Sequence, residues 1–208
     1  LQDAVAAPVT EEKARMHPDV DDITHYVEAV NYGIERTKTL PISLRLIKEI
    51  HERLMTGARA TQHAYPGEFR HSQNWIGGKS PSDASFVPPA PSDMQNSLDD
   101  LEKFIHTKDD LPSLVKAGLL HAQFETIHPF TDGNGRTGRM LIAMYMHHAE
   151  LLELPILYLS SYFKKHQKLY YQKLQEYHDE DANINGWLEF FLEGVAEIAD
   201  SSIETCAK

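Results

Sequence analysis

Residues 128–139 read His128-Pro129-Phe130-Thr131-Asp132-Gly133-Asn134-Gly135-Arg136-Thr137-Gly138-Arg139, and no other stretch of the chain gathers so many chemically useful groups. Pro129 fixes its own backbone and disfavours helix in the residue before it, so the apolar-periodic segment that reaches Ile127 stops there. Gly133-Asn134-Gly135 can take backbone angles that most residues avoid, and glycines without Cβ atoms let a ligand approach the main chain. Arg136 to Met146 then reads as a helix. A glycine-rich turn feeding a helix N-terminus is an anion site, because free N–H groups point outward and the helix dipole favours negative charge. Arg136 and Arg139 are three apart, on one helical face, so both could reach one polyphosphate. Asp132 precedes the turn, where a carboxylate could hold a phosphate-bound Mg²⁺. His128 is the one group here that ordinarily titrates near neutrality, which makes it the candidate proton acceptor. In this order the parts point to a nucleoside triphosphate, a metal and a base, hence to transfer of a phosphate-containing group.

Outward from this loop the chain is helical on both sides. Leu111-Pro112 starts a helix whose Leu114, Val115, Ala117, Leu119, Leu120, Ala122, Phe124 and Ile127 are apolar on nearly all sides. Met140-Leu-Ile-Ala-Met-Tyr-Met146 is the same. Helices apolar all round belong at the centre of a bundle, so the reactive loop joins the two most buried helices and is held rigidly.

The stretch resembles the signature of Fic-domain proteins, His-x-Phe-x-Asp/Glu-Gly-Asn-Gly-Arg-x-x-Arg, and all eight fixed positions are present: His128, Phe130, Asp132, Gly133, Asn134, Gly135, Arg136 and Arg139. Pro66-Gly-Glu-Phe-Arg70, Ser72-Gln-Asn-Trp-Ile-Gly-Gly78 and Phe86-Val-Pro-Pro89 resemble the segment before and within that family's β-hairpin flap. Tyr170-Tyr171 resembles its tyrosine pair near the adenine pocket. The resemblance runs from about Asp21 to about Val195. It implies a mainly α fold, a Fic-type bundle of about seven to nine helices with a short β-hairpin flap over the active-site loop. It also implies transfer of AMP from ATP to a Ser, Thr or Tyr hydroxyl of a target protein, itself included, with release of pyrophosphate. By that resemblance His128 is the base, Asp132 holds Mg²⁺, Gly133, Asn134 and Gly135 form the anion cradle, and Arg136 and Arg139 neutralise the outer phosphates. Phe130 packs inward and fixes the loop. Tyr171 and Leu174 are the adenine-pocket candidates. Ile76, Gly77, Gly78, Phe86 and Val87 form the flap, on which an extended target segment docks by β-strand addition. Such chemistry depends mostly on positioning and charge stabilisation. Doc toxins in the same superfamily phosphorylate instead and carry Lys in place of the second glycine; here that position is Gly135, which favours nucleotidyl transfer. Other readings remain: an ATP-binding interaction module without transfer, which would need no base, or a Fic enzyme that removes AMP or moves another nucleotide or phosphate.

The remaining chain reads in order. Thr10 to Met16 suits a short helix capped by Thr10, within an N-terminal lead-in over residues 1–18. Val20, Ile23, Val27, Val30 and Ile34 mark an amphipathic helix ending near Gly33–Thr37, and Leu46, Ile47, Ile50 and Leu54 a second one closed by Gly57. Between Ala58 and Pro91 helix periodicity vanishes, and Asn74–Ile76 with Phe86–Pro88 read as the two sides of a hairpin. Gly77-Gly-Lys-Ser80 is no P-loop, since the required first glycine would fall at Gln73. Leu98, Leu101, Phe104 and Ile105 mark a third helix. After a break at Pro155, Ser160 or Ser161 caps a helix carrying Tyr162, Phe163, Leu169, Tyr170, Leu174 and Tyr177, and the role of His178 is open. Trp187, Phe190, Phe191, Val195 and Ile198 make the last helix. Without repeats or a low-complexity linker, residues 1–208 read as one domain.

Composition bounds the partners. The 208 residues carry 20 basic and 31 acidic side chains, a net charge of −11, which argues against nucleic-acid or anionic-membrane binding through this domain. Cys206, the one cysteine, makes no internal disulfide and suits a reducing, cytoplasmic setting. Leu151–Leu159, interrupted by Glu153 and Pro155, is too short to span a membrane. The twelve histidines include no His-Glu-x-x-His, so a structural zinc is not expected. Many Fic proteins carry an inhibitory helix with a Ser/Thr-x-x-x-Glu-Gly/Asn pattern, whose Glu pairs with the arginine at Arg139. Thr24-His-Tyr-Val-Glu28 has the spacing, but Ala29 follows and the segment belongs to the first long helix. The expectation is that the inhibitory segment lies outside these residues or comes from a partner, as would any C-terminal DNA-binding domain; a homo-oligomer is compatible with the family.

Overall fold

A computed structural model describes residues 18–56, 65–152, 159–178 and 181–206. The expected helix Thr10–Met16, the stop at Gly57 and the break at Pro155 lie outside the described residues. Eight helices occur among those described: α1 Pro18–Thr37, α2 Leu44–Met55, α3 Pro91–His106, α4 Ser113–Ile127, α5 Asn134–His148, α6 Leu159–Lys165, α7 Gln167–His178 and α8 Ile184–Cys206. α2 begins where the Ser43 side chain accepts the Leu46 N–H, and its core face carries Leu46, Ile47, Ile50 and Leu54, all fully buried. α3 begins at Pro91, whose missing N–H is unneeded in a first turn.

α4 and α5 occupy the centre. α4 packs on α3, α5, α7 and α8, whereas α5 packs on α1, α2 and α4. Every residue from Met140 to Met146 is buried, and α4 has no exposed position. Each fully buried large aliphatic or aromatic side chain contributes roughly 1.5–3 kcal/mol, so this pair anchors whatever its connecting loop carries. On the far side Trp187 and Phe191 of α8 are fully buried, and Trp187 Nε1–H donates to the Gly118 carbonyl at 2.9 Å.

Two boundaries differ from the sequence reading. α5 starts at Asn134 rather than Arg136, because Gly133 takes φ 80° and itself caps the helix, its carbonyl accepting the Thr137 N–H. Ser160 and Ser161 do not cap a helix: both lie inside α6, and the run expected as one helix is two, α6 and α7, meeting at His166. The bonds His166 N–H to Tyr162 O and Tyr170 N–H to His166 O cross the junction, so it is a local turn between two helices that share the same aromatic core.

No strand forms among the described residues of the 65–91 segment. The expected hairpin is represented by one antiparallel bridge, Ile76 with Phe86: Ile76 N–H donates to Phe86 O at 2.9 Å and Phe86 N–H to Ile76 O at 3.2 Å. The ladder cannot extend through Pro88 and Pro89, which have no N–H, and the Gln73 side chain takes the Pro88 carbonyl at 2.8 Å where a main-chain donor would sit. Beyond the bridge Gly77 and Gly78, with φ of 71° and 65°, turn the chain away, and the Asp83 carboxylate accepts the N–H groups of Lys79 and Ser80.

Candidate active site

The loop between α4 and α5 is built from its own amides outward. Asn134 clamps Phe130: its Oδ1 accepts the Phe130 N–H at 2.8 Å and its Nδ2 donates to the Phe130 carbonyl at 2.7 Å. The Phe130 ring is fully buried and stacks on His51 with centroids 3.6 Å apart. His51 Nδ1 accepts the Gly67 N–H, which makes Nε2 the donor to the Asp132 carbonyl at 2.9 Å. Burial pushes this imidazole down to about 4, so it stays neutral in that role. Gly133 lies against the same group; a Cβ there would sit 2.8 Å from Met55 Sδ.

His128 ends α4 in the left-handed region, φ 48° and ψ 58°, a conformation few non-glycine residues hold without support. That turn leaves its imidazole largely buried at one wall of a cavity of about 610 Å³. Burial pushes His128 down to about 4; the Arg70 and His178 charges act the same way, while the Glu125 carbonyl and Asp132 oppose. Glu125 Oε2 stands 3.8 Å from His128 Nδ1. Burial pushes the Glu125 carboxyl up to about 7, with Arg139 opposing. Deeper still, the Tyr170 hydroxyl lies between His121 Nε2, 3.0 Å away, and the Arg139 guanidinium.

The cavity collects many of the residues named from sequence. His128 comes from α4, Gly135 and Arg139 from the start of α5, Tyr171 and Leu174 from α7, and Ile76, Gly77 and Phe86 from the bridged loop. Phe86 stacks on His178 at 4.0 Å, which joins that loop to α7. Gly78 and Val87 do not line the cavity, and both are exposed. Other named residues lie off the cavity walls. The Asn134 side chain is committed to Phe130, leaving its main chain, at the first turn of α5, as the group able to face an anion. Arg136 donates toward Met55 Sδ at 3.2 Å, so Arg139 alone of the two arginines lines the cavity. Residues three apart on a helix diverge by about 60°, and the packing of α5 on α2 turns that divergence into two environments. Asp132 Oδ1 accepts the Gly133 N–H at 2.6 Å. No group of three or more His, Cys, Asp or Glu gathers for a metal among the described residues, and a lone carboxylate beside a helix N-terminus suits a hard cation that takes its other ligands from phosphate and water.

Sequence reasoning missed Glu125, His51, His121 and the work of Arg70. Glu125 was legible in principle as the one carboxylate in the mainly apolar run of α4. His51 shares the α2 face of Ile47 and Leu54, where only its tertiary partners reveal a role.

The model of the Fic/DOC family matches residues 41–146. Similar curated proteins include the protein adenylyltransferase Fic of Aedes aegypti, 35% identical over 139 residues that cover 64% of this chain and 24% of that one. The protein of the same name from Nematostella vectensis is 34% identical over 131 residues, 61% of this chain and 27% of that one. The chain thus spans about a quarter of the length of these relatives. Among solved structures, a Fic family protein from Desulfovibrio desulfuricans G20 superposes with a TM-score of 0.76 at 20% identity, covering all of this chain and 59% of that one. A Fic domain containing signaling protein from Bacteroides thetaiotaomicron gives 0.69 at 20% identity, over 88% and 70%.

Proposed function

The chain belongs to the Fic/DOC family, and from that premise we propose that it transfers AMP from ATP to a Ser, Thr or Tyr hydroxyl of a protein. The observation that carries this reading is the single cavity into which His128, the start of α5 with Gly135 and Arg139, and the Ile76–Phe86 loop all converge. The phosphates lie at the α5 N-terminus, where main-chain N–H groups and Arg139 meet their charge; Arg136 adds longer-range positive potential. Tyr171 and Leu174 hold the base. Asp132 holds Mg²⁺, which supplies charge neutralisation on the phosphates when bound. The Ile76–Phe86 loop is the flap, and a target segment pairs with its edge near Gly78 and Val87. His128 Nδ1 faces Glu125, leaving Nε2 for the cavity. Nε2 takes the proton of the acceptor hydroxyl as its oxygen bonds to the α-phosphorus, and the bond from that phosphorus to the pyrophosphate oxygen breaks. Burial keeps His128 neutral, hence able to accept that proton, at any pH well above about 4.

The test is incubation of the chain with Mg²⁺ and ATP labelled on the α-phosphate, alone and with a bacterial lysate, beside His128→Ala. Label on the chain or on a lysate protein, lost in the variant, is the expected result. ATP binding without label transfer would favour a binding module, and label from the γ-phosphate would make the reaction kinase-like. No described helix is long and apolar enough to cross a membrane.

A further inference from the structure

Arg70 is 3% exposed, and no carboxylate pairs with it among the described residues. A buried cation without a counter-ion is costly unless every donor is used. Here the fork meets four main-chain carbonyls. Nε donates to His128 O at 3.0 Å, Nη1 to Ser72 O at 3.1 Å, and Nη2 to Pro89 O at 2.6 Å and Ile127 O at 3.4 Å. The Arg70 main-chain N–H takes Pro129 O at 2.8 Å. One residue therefore holds three consecutive carbonyls, 127 to 129, around the left-handed turn at His128. Its charge sits at the C-terminal end of α4, where the helix dipole is negative. Its other two bonds go to Ser72 and Pro89, which lead into and out of the Ile76–Phe86 bridge. Asn74 adds a second tie, its Nδ2 lying 3.2 Å from both His128 O and Phe130 O.

We propose that Arg70 is the positioning residue of the transfer: its guanidinium joins the two stems of the flap to the backbone of His128, so that flap and base move as one body. A hydroxyl presented along the flap then arrives in fixed register with the imidazole. Lysine cannot replace it, because an ammonium is a point donor and cannot span carbonyls from both the α4 end and the flap stems. No group assigned to ATP, neither those from Gly133 to Arg139 nor Tyr171 or Leu174, receives a hydrogen bond from the Arg70 guanidinium.

The kinetic arm of the test rests on the AMP-transfer reading; the spectroscopic arm does not. Arg70→Lys and Arg70→Met are compared with the unsubstituted chain for direct ATP binding and for transfer to the acceptor band found with α-labelled ATP. The expected result is a kcat lower by about tenfold or more in both variants, with ATP affinity unchanged within about twofold. Unchanged kcat, or losses of ATP affinity and kcat in the same proportion, would overturn the proposal. In the second arm, ¹³C-labelled histidine is followed by NMR, with the His128 signal assigned through His128→Ala. Loss of the left-handed Cα and Cβ shifts at His128 in Arg70→Lys, while ATP still binds, supports the proposal even if no transfer is seen. Retention of those shifts in both variants overturns it. Failure of the unsubstituted chain to transfer label would count against the AMP-transfer reading alone.

Discussion

Asn134 is the residue on which the loop between α4 and α5 turns. Its amide closes both main-chain groups of Phe130, and both lie away from water. Removing the amide orphans a buried N–H and leaves the carbonyl to Asn74 alone, at about 1–3 kcal/mol for each unsatisfied group. Asn134→Ala is therefore expected to lose about 1–3 kcal/mol in urea unfolding and, under the proposed function, to lose AMP transfer with it. Gly133 is constrained differently. Its φ of 80° costs any other L-residue about 1–2 kcal/mol, and a Cβ would press Met55 and His51 as well. Gly133→Ala should lower the melting temperature even though it adds only a methyl group. If either variant melts like the parent, the loop is not held as described.

The start of α5 does two jobs with two arginines. Arg139 lines the cavity beside Gly135, whereas Arg136 packs over Met55. A charge-assisted bond to phosphate is worth roughly 1.5–3 kcal/mol, so Arg139→Ala should weaken ATP binding by about tenfold to a hundredfold in calorimetry. Arg136→Ala should weaken it much less. Equal losses would mean that α5 rotates on binding, or that both side chains swing to the phosphates. The bridged loop is tied to α7 by the Phe86–His178 stack, a contact that no periodicity in either segment foretells. Phe86→Ala should speed hydrogen exchange at the Ile76 amide, which is otherwise closed by the Phe86 carbonyl.

Across the whole molecule, buried titrating groups set how stability follows pH. His51 and His128 are pushed down to about 4 and His121 to about 3, chiefly by burial. Each therefore binds fewer protons folded than unfolded below its ordinary 6.5, so stability is lost as pH falls through that window. Glu125 is pushed up to about 7 and acts oppositely, binding more protons folded than unfolded between its ordinary 4.5 and 7. From about pH 4.5 to 6.5 three histidines oppose one carboxyl, a net of two protons, or at most about 2.7 kcal/mol per pH unit. Melting temperature should thus fall steeply on acidification from pH 6.5 to 5, and Glu125→Gln should steepen the fall. A flat profile would show that these groups are hydrated rather than buried.

What the sequence determined by itself was whatever depends on local pattern. Spacing of apolar residues identified the central helices α4 and α5, because a helix buried on all sides must be apolar on all sides. Gly133, Pro129 and the arginines marked the loop between them as a turn and a candidate anion site, because those residue types constrain backbone and charge wherever they occur. Tertiary structure decided the rest. It set Arg139 on the cavity and Arg136 on Met55, turned the Asn134 amide inward, reduced the hairpin to the Ile76–Phe86 bridge, and brought Glu125, His121 and Tyr170 beneath the site. It also gave Arg70 its four carbonyls, which come from segments up to 58 residues away in sequence. A side chain's direction and burial are fixed by what packs against it, and those neighbours are distant in the chain.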